Sequence, residues 1–343
     1  MGRKGRIFGF LLTGVFLWIV ARNVDGSELM AAFRAADYRL VVPAALATFC
    51  GYLIRTFRWQ RVVRPVAPLS FGSAFSVLMM GFTANNLLPA RLGEVVRAYL
   101  LHRKTGARKT YGVATIILER ICDGLTLILF LGFVSLLMPL PQWGQDVQAV
   151  SSLLFLGAAV VIVVLLMKES LVVRIADLVL GRFPTRVSGP VLRATGVFIS
   201  GLHALKSRRS LALVIALSVA VWLLEASSYL LMFSAFNVSM PPLRLVLAAV
   251  FLLVVVNLGI MLPSAPGYVG TFQFFAVMAL GAFGVPKETA LAVAISSHLM
   301  QYLMVTAIGI VFFLRENMGL WSVERQAAAE SDEADSAIPV GLE

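Results

Sequence analysis

Between residues 111 and 138 the chain reads as one long apolar run, interrupted at Glu119, Arg120 and Asp123. On a helix the two acids are four residues apart and share a face. Arg120 stands three residues before Asp123, a spacing that permits an ion pair. If the helix starts near Tyr111, the carboxylates lie about 12 and about 18 Å along it, deep in apolar surroundings. A charge at that depth costs roughly 2.5 to 3.5 kcal/mol on insertion scales, so it requires a partner, a cavity or a ligand. The chemistry open to such a cluster is exchange, in which an arginine held by an acid is handed to an incoming anion. The alternative is structural pairing among Glu119, Arg120, Asp123, Arg91 and Arg97, and the two uses are compatible.

A second constellation breaks the apolar run 75–88. Asn85-Asn86-Leu87-Leu88-Pro89-Ala90-Arg91-Leu92-Gly93-Glu94 interrupts it before apolar character resumes at 95–101. Pro89 and Ala90 open a new helix whose free N–H groups and positive dipole end favour an anion. Arg91 adds a planar donor fork suited to phosphate or carboxylate. Asn85 and Asn86 supply neutral donors and acceptors, and Glu94, three residues from both Arg91 and Arg97, can neutralise either. These five residues, Asn85, Asn86, Arg91, Glu94 and Arg97, form the predicted headgroup-binding set.

A second run, 243–283, breaks similarly at Pro263-Ser264-Ala265-Pro266-Gly267-Tyr268-Val269-Gly270. Asn257, Ser264, Gly267, Tyr268, Gly270 and Gln273 give this region polar groups and backbone access but no charge. Its glycines allow close approach by a ligand or, equally, tight helix packing. Glu225 with Ser228 and Tyr229, and His298 with Gln301 and Tyr302, complete the polar set. A lone histidine in an apolar helix reads as a hydrogen-bonded packing residue before a proton carrier. No metal-ligand spacing, nucleotide-binding loop or Ser/His/Asp arrangement is present, so no catalytic residue, metal or cofactor is assigned.

The elements that position these residues follow from composition. Of 343 residues, 59% are hydrophobic and only 14% charged, with mean hydropathy +0.88, which indicates a polytopic α-helical membrane protein. The net charge of +11 sits between apolar runs. It reads as topology determinants facing anionic lipid, not as a nucleic-acid surface. Cys50 and Cys122 fall in apolar segments without metal or redox spacing and are expected to pack. The opening Met1-Gly2-Arg3-Lys4-Gly5-Arg6 and the run 7–21 resemble a signal peptide, but Ala21-Arg22-Asn23 is a poor cleavage site, so an uncleaved first span is expected.

Candidate spans are 7–21, 40–57, 111–138, 150–167, 211–236 and 289–314, with interrupted segments at 71–101 and 243–283. Arg3, Lys4 and Arg6 place the N-terminus inside, and Arg55, Arg58, Arg61 and Arg64 return the second span to the same side. Arg97, Arg103, Lys104, Arg108 and Lys109 then follow the first interrupted segment and also belong inside, so that segment enters and leaves on one face. The same accounting lets the second interrupted segment dip from outside and brings the last span inside before Arg315. The expectation is an all-α integral membrane protein of about six full spans plus two re-entrant helical hairpins in inverted-topology repeats. The competing reading is a plain bundle whose prolines kink spans.

The expected organisation has five parts. Residues 1–39 form an N-terminal span and external loop. Residues 40–138 form repeat A with hairpin 70–102, and 139–210 a span plus a basic cytoplasmic amphipathic segment. Residues 211–314 form repeat B with hairpin 243–284, and 315–343 a disordered acidic cytoplasmic tail. The basic segment suits anionic lipid or simply a solvated face.

At its breaks the sequence resembles the flippase-like transmembrane region of lysylphosphatidylglycerol synthases. The resemblance rests on Asn86-Leu87-Leu88-Pro89-Ala90-Arg91-Leu92-Gly93-Glu94 with Arg97, on Glu119-Arg120 with Asp123, and on Leu262-Pro263-Ser264-Ala265-Pro266-Gly267. It covers roughly residues 5 to 315. Full-length members join this region to a soluble aminoacyl-transferase domain that uses charged tRNA. The chain leaves no residues for one, so lysyl transfer is not expected. Where many relatives carry an acid after the second motif this chain has Gln273, and no proton-coupled role is expected there.

The resemblance implies movement of an anionic or modified lipid across the bilayer, and some relatives occur beside glycosyltransferase or hopanoid functions. The expected partners are anionic membrane lipids, with no nucleic acid; a lipid or glycan synthase partner and a homo-oligomer stay open. The expected location is the cytoplasmic membrane of a prokaryote, with both termini cytoplasmic. The alternatives are a membrane-embedded lipid- or polyprenyl-phosphate transferase, or an accessory subunit of a lipid or glycan synthase.

Overall fold

The computed structural model describes residues 3–88, 92–167, 208–262 and 264–318. Arg91 and Pro263, the basic segment from 168 to 207, and the tail from 319 lie outside the described residues, with the expectations that fall on them. Among the described residues the secondary structure is entirely helical, as intramolecular pairing of backbone polar groups in lipid requires. Six helices are long and apolar enough to cross a membrane: Tyr38–Val63, Lys109–Leu137, Gln142–Val161, Arg209–Ala235, Pro242–Gly259 and Lys287–Arg315. Leu136, Leu153 and Leu314 stand 85%, 80% and 71% exposed on them, an apolar exterior that belongs in hydrocarbon.

Helix α1 (Arg3–Ala21) meets α2 (Gly26–Ala35) at an 85° bend. The expected external loop therefore contains a helix. Asp25 caps it by accepting the Ser27 and Glu28 N–H groups, at 2.7 and 3.2 Å. Helix α3 (Val41–Val63) precedes the first broken segment, α4 (Phe71–Leu87) and α5 (Gly93–Thr105). These two fold back on each other so closely that a Cβ on Gly93 would overlap the Gly81 carbonyl. Helices α6 (Lys109–Leu137) and α7 (Gln142–Met167) follow. Helix α7 starts well before the expected residue 150, because the polar stretch ahead of the apolar run is itself helical.

Helix α8 (Arg208–Ala235) leads to the second broken segment, α9 (Pro242–Gly259) and α10 (Thr271–Gly281), and α11 (Lys287–Arg315) ends the described bundle. A short turn, Pro266–Tyr268, joins α9 to α10; positive-φ backbone occurs within it at Gly267 (φ 67°) and Tyr268 (φ 59°), and at Gly270 (φ 80°) just before α10. Helix α9 is buried nearly all round from Leu247 to Val256, as expected for a helix at the centre of a bundle. Cys50 is exposed, not packed as expected, and Cys122 is half-buried.

The packing has an internal two-fold pattern. Helix α3 packs most extensively on α8. Exchanging α3 with α8, α4 with α9, α5 with α10 and α6 with α11 maps the remaining contacts among these eight helices onto one another, whereas those of α1, α2 and α7 have no counterpart. The contact of α4 with α11 corresponds to that of α6 with α9, and α5 on α6 to α10 on α11. The tips of the two broken segments meet: a Cβ on Gly267 would lie 3.2 Å from the Asn86 carbonyl.

Candidate functional site

The charges expected on α6 sit at a junction of three helices. Glu119 takes Arg97 of α5 at 2.8 Å, Arg120 at 2.7 Å and Arg58 of α3 at 3.6 Å. Asp123 takes Arg58 at 2.7 Å, Arg55 at 3.1 Å and Arg120 at 3.3 Å. Arg58, Arg97, Glu119 and Asp123 are 1%, 1%, 5% and 4% exposed. Four guanidiniums therefore share two carboxylates in direct contact, forming one charge cluster. Aromatic faces help to hold it: Arg97 lies over Trp59 at 4.8 Å and Phe82 at 5.7 Å, and Arg55 over Trp222 at 5.0 Å. Arg58 also donates to Ser218 Oγ at 2.6 Å.

Arg55 and Arg58 correct the sequence reading, which placed them with Arg61 and Arg64 as cytoplasmic determinants. Both are at least nine-tenths buried against Asp123. Their three-residue spacing on one helix face, beside Phe57 and Trp59, was the available signal. Ser218 and Trp222 were also missed, because single polar or aromatic residues in an apolar helix announce nothing by themselves.

The cluster borders a cavity of about 160 Å3 between the two broken segments, with room for a headgroup and not for a lipid's chains. Of the predicted headgroup set, Asn85, Asn86, Glu94 and Arg97 reach it, whereas Arg91 is outside the described residues. Asn85 has a structural duty: its Oδ1 accepts the Gly93 N–H at 2.8 Å and closes the turn into α5. Asn86 donates to Thr306 Oγ1 at 3.0 Å, tying the same tip to α11. Arg120 lines the cavity, while Glu119 and Asp123 lie behind the arginines they hold.

The opposite wall is neutral apart from Glu225, which accepts a hydrogen bond from Gln301 Nε2. Asn257 and Tyr268 of the second segment also line the cavity. Its other predicted residues are structural. Ser264 packs on Gly9 of α1, and Gly270 closes against Leu17 and donates its N–H to Gln273 Oε1 at 2.7 Å. Gln273 Nε2 lies 3.0 Å from His298 Nδ1, and the ring stacks on Phe272 at 4.5 Å. His298 lines the cavity edge but serves the segment's architecture, in keeping with the packing reading. Among the described residues no group of three or more His, Cys, Asp or Glu could hold a metal ion.

Fold and site together define a polytopic helical membrane protein whose buried arginine cluster faces a cavity between two broken helical segments. The family model described as the lysylphosphatidylglycerol synthase TM region matches residues 6–309, and the chain belongs to this family. It is 30% identical over 335 residues to a UPF0104 membrane protein of Methanothermobacter thermautotrophicus, covering 90% of this chain and 95% of that one. It is 25% identical over 353 residues to the protein named Glycosyltransferase AglD of Haloferax volcanii, covering 95% of this chain and 57% of that protein. The chain thus spans little more than half the length of that relative. A UPF0104 membrane protein of Methanocaldococcus jannaschii is 22% identical over 316 residues, covering 89% of this chain and 93% of that one. No solved structure matches the chain.

Proposed function

We propose that this protein binds the phosphate-bearing headgroup of an anionic lipid in the cavity between its two broken segments and moves it across the cytoplasmic membrane of a prokaryote. The observation that carries this reading is the convergence of guanidiniums on one cavity: Arg55, Arg97 and Arg120 line it together with Glu94 and Glu225, while Glu119 and Asp123 are the two carboxylates in direct contact with the cluster. Arg97 Nε and Arg120 Nε have no hydrogen-bond partner among the described residues but are buried from the cavity, so an anion reaches them only when the cluster rearranges. A phosphate fits the fork geometry of arginine. Acyl or isoprenoid chains would stay in lipid while the headgroup crosses.

The two-fold packing pattern supports a pair of related repeats, A and B; in this reading they are inverted, with re-entrant hairpins meeting near the midplane and both termini cytoplasmic. Transport then proceeds by rocking one repeat against the other around the cavity. The acids compete with the headgroup for the arginines, which keeps binding weak enough for release.

The test is reconstitution in vesicles with fluorescent anionic and zwitterionic lipids. Arg97→Gln together with Arg120→Gln is expected to slow anionic lipid movement at least about tenfold, the equivalent of losing roughly 1.4 kcal/mol of headgroup binding. Unchanged movement overturns the reading. The likeness to a named glycosyltransferase favours one second reading, in which the chain presents a lipid-linked substrate to a glycosyl-transfer reaction. Product formation dependent on Arg97, without lipid movement, would select it.

A further inference from the structure

The charges around the cavity balance before any ligand arrives. Arg55, Arg97 and Arg120 line it and Arg58 stands behind them; Glu94 and Glu225 line it, and Glu119 and Asp123 hold the arginines from behind. Among the described residues this makes four guanidiniums and four carboxyls. A lipid phosphate brings one more negative charge into the same space. An unbalanced charge at membrane depth is costly, so either a cation enters with the anion or one of the carboxyls takes up a proton.

Glu225 is the carboxyl placed to do so. It lies about 15 Å from the Ala235 end of α8, well inside the span. Glu119 and Asp123 are each held by three arginines, and Glu94 stands one turn from Arg97 and in the field of Arg120. Glu225 forms no ion pair with a described residue, and what meets it is the neutral amide of Gln301. Arg55 reaches the same helix over Trp222, at 5.0 Å and one turn before Glu225, but is committed to Asp123 at 3.1 Å.

The other titratable groups around Glu225 are otherwise engaged or of another kind. His298 of α11 has Nδ1 3.0 Å from Gln273 and its ring stacked on Phe272. Tyr52 of α3, Tyr229 of α8, Tyr268 and Tyr302 are phenols, and α9 presents the amide of Asn257. Tyr38 and Arg39 belong to the turn at the far end of α8, where Tyr38 meets Phe236.

A charged Glu225 and an anion on the arginines would share a cavity of about 160 Å3, and like charges that close repel. Anion binding therefore favours the protonated carboxyl, and by linkage the proton raises the affinity for the anion by the same factor. We infer that Glu225 is a proton-binding site that loads together with the headgroup, so that each lipid anion crosses with one proton. The carboxylate takes a proton from water on the loading side and holds it as a carboxyl O–H, which the Gln301 amide can accept by turning its oxygen to it. The proton returns to water when the anion leaves on the other side. The inference rests on the anionic-headgroup reading above and supplies its driving force, a pH gradient.

The test places the purified full chain in phosphatidylcholine vesicles with NBD-labelled phosphatidylglycerol, whose phosphate keeps its charge near neutral pH. A difference of about one pH unit is imposed, with the membrane potential clamped by valinomycin and equal potassium, and the outer leaflet is read by dithionite quenching against protein-free vesicles. The probe is expected to accumulate on the alkaline side by at least about threefold, against a limit of about tenfold for one proton. Glu225→Gln is expected to hold that ratio below about 1.5-fold and Glu225→Asp to bring it back above about twofold. Should Glu225→Gln move no probe, Glu225→Asp decides alone, and movement with a ratio below about 1.5-fold overturns the assignment. Accumulation that persists in Glu225→Gln overturns it too. Movement without accumulation in the unaltered protein, or accumulation on the acid side, overturns the coupling and leaves the anion reading standing. No movement of the probe by the unaltered protein overturns both.

Discussion

Replacing Glu119 by glutamine should cost the fold more than removing an arginine it holds. Glu119 serves Arg97, Arg120 and Arg58, and Asp123 serves Arg58, Arg55 and Arg120. Each carboxylate is therefore over-subscribed. Arg120→Met leaves Glu119 with Arg97 and Arg58, and Asp123 with Arg58 and Arg55, and it reduces crowding of like charge. The Arg120 side chain is 32% exposed, so solvent discounts what it contributes, and the expected loss is about 0–1 kcal/mol. Glu119→Gln is different in kind. It strips Arg97, 1% exposed, of its ionic partner among the described residues, and an uncompensated buried charge costs about 3–5 kcal/mol. The glutamine carbonyl still accepts one hydrogen bond, and Trp59 and Phe82 still face the guanidinium, which favours the lower end. The assay is unfolding of the detergent-solubilised protein by denaturing detergent, followed by helical circular dichroism. Glu119→Gln should be less stable than Arg120→Met by at least about 2 kcal/mol. Equal losses, or a larger loss for Arg120→Met, would refute the claim that the four arginines outnumber the two carboxylates that hold them.

Three further outcomes follow from single positions. Gly93→Ala drives a Cβ into the Gly81 carbonyl and the Asn85 side chain, so the α4–α5 pair must open, at about 1–3 kcal/mol in the same unfolding titration. Asn85→Ala removes the acceptor of the Gly93 N–H and should cost about 0.5–2 kcal/mol; Asn85→Asp keeps an acceptor there and should recover most of it. Outside the spans, hydrogen bonds from the Ser27 hydroxyl and from the Ser27 and Glu28 N–H groups hold the Asp25 carboxyl below its ordinary value of 3.8. A group with a depressed folded value stabilises above its unfolded value and loses that contribution as pH falls through the folded one. Hydrogen exchange in the first turn of α2, corrected for intrinsic rates, should therefore speed up below pH 3.8 in the native chain and not in Asp25→Asn.

Much of the architecture was legible in the sequence because apolar runs of span length and two proline-bearing breaks leave little freedom in lipid. The pairing on α6 was legible too, since spacings of three and four residues decide which side chains can touch. The pairing of Glu119 with Arg97 needed only the nearness in sequence of α5 and α6. Arg55 and Arg58 were misread for a physical reason. The positive-inside rule says at which end of a span an arginine lies, not which face it turns, and their burial depends on Asp123, 65 residues away from Arg58. Helix α2 was overlooked although Asp25 and Glu28 stand at the spacing of a capping box before an apolar stretch. The cavity wall built by Trp222, Glu225 and Gln301 was only half visible, because its coherence arises from packing α8 against α11 across 76 residues.

The two halves share a packing pattern but not a chemistry, and this difference bears on how the proposed transport would work. The arginines and their acids come from α3, α5 and α6, whereas α8, α9 and α11 bring amides, rings and one carboxylate. Two polar links cross from the charged cluster to α8: Arg58 to Ser218 Oγ at 2.6 Å, and Arg55 stacked on Trp222 at 5.0 Å. Both arginines are anchored on their own side by Asp123. A rocking motion of one half against the other has to break these links or carry the arginines across. An anion bound in the cavity competes with Asp123 for Arg55 and so weakens the anchoring of a link that spans the seam. A ligand shifts a conformational equilibrium only through contacts that differ between the states, and Arg55 supplies such a contact. A neutral lipid of the same size would leave Arg55 on Asp123, and the halves would stay latched.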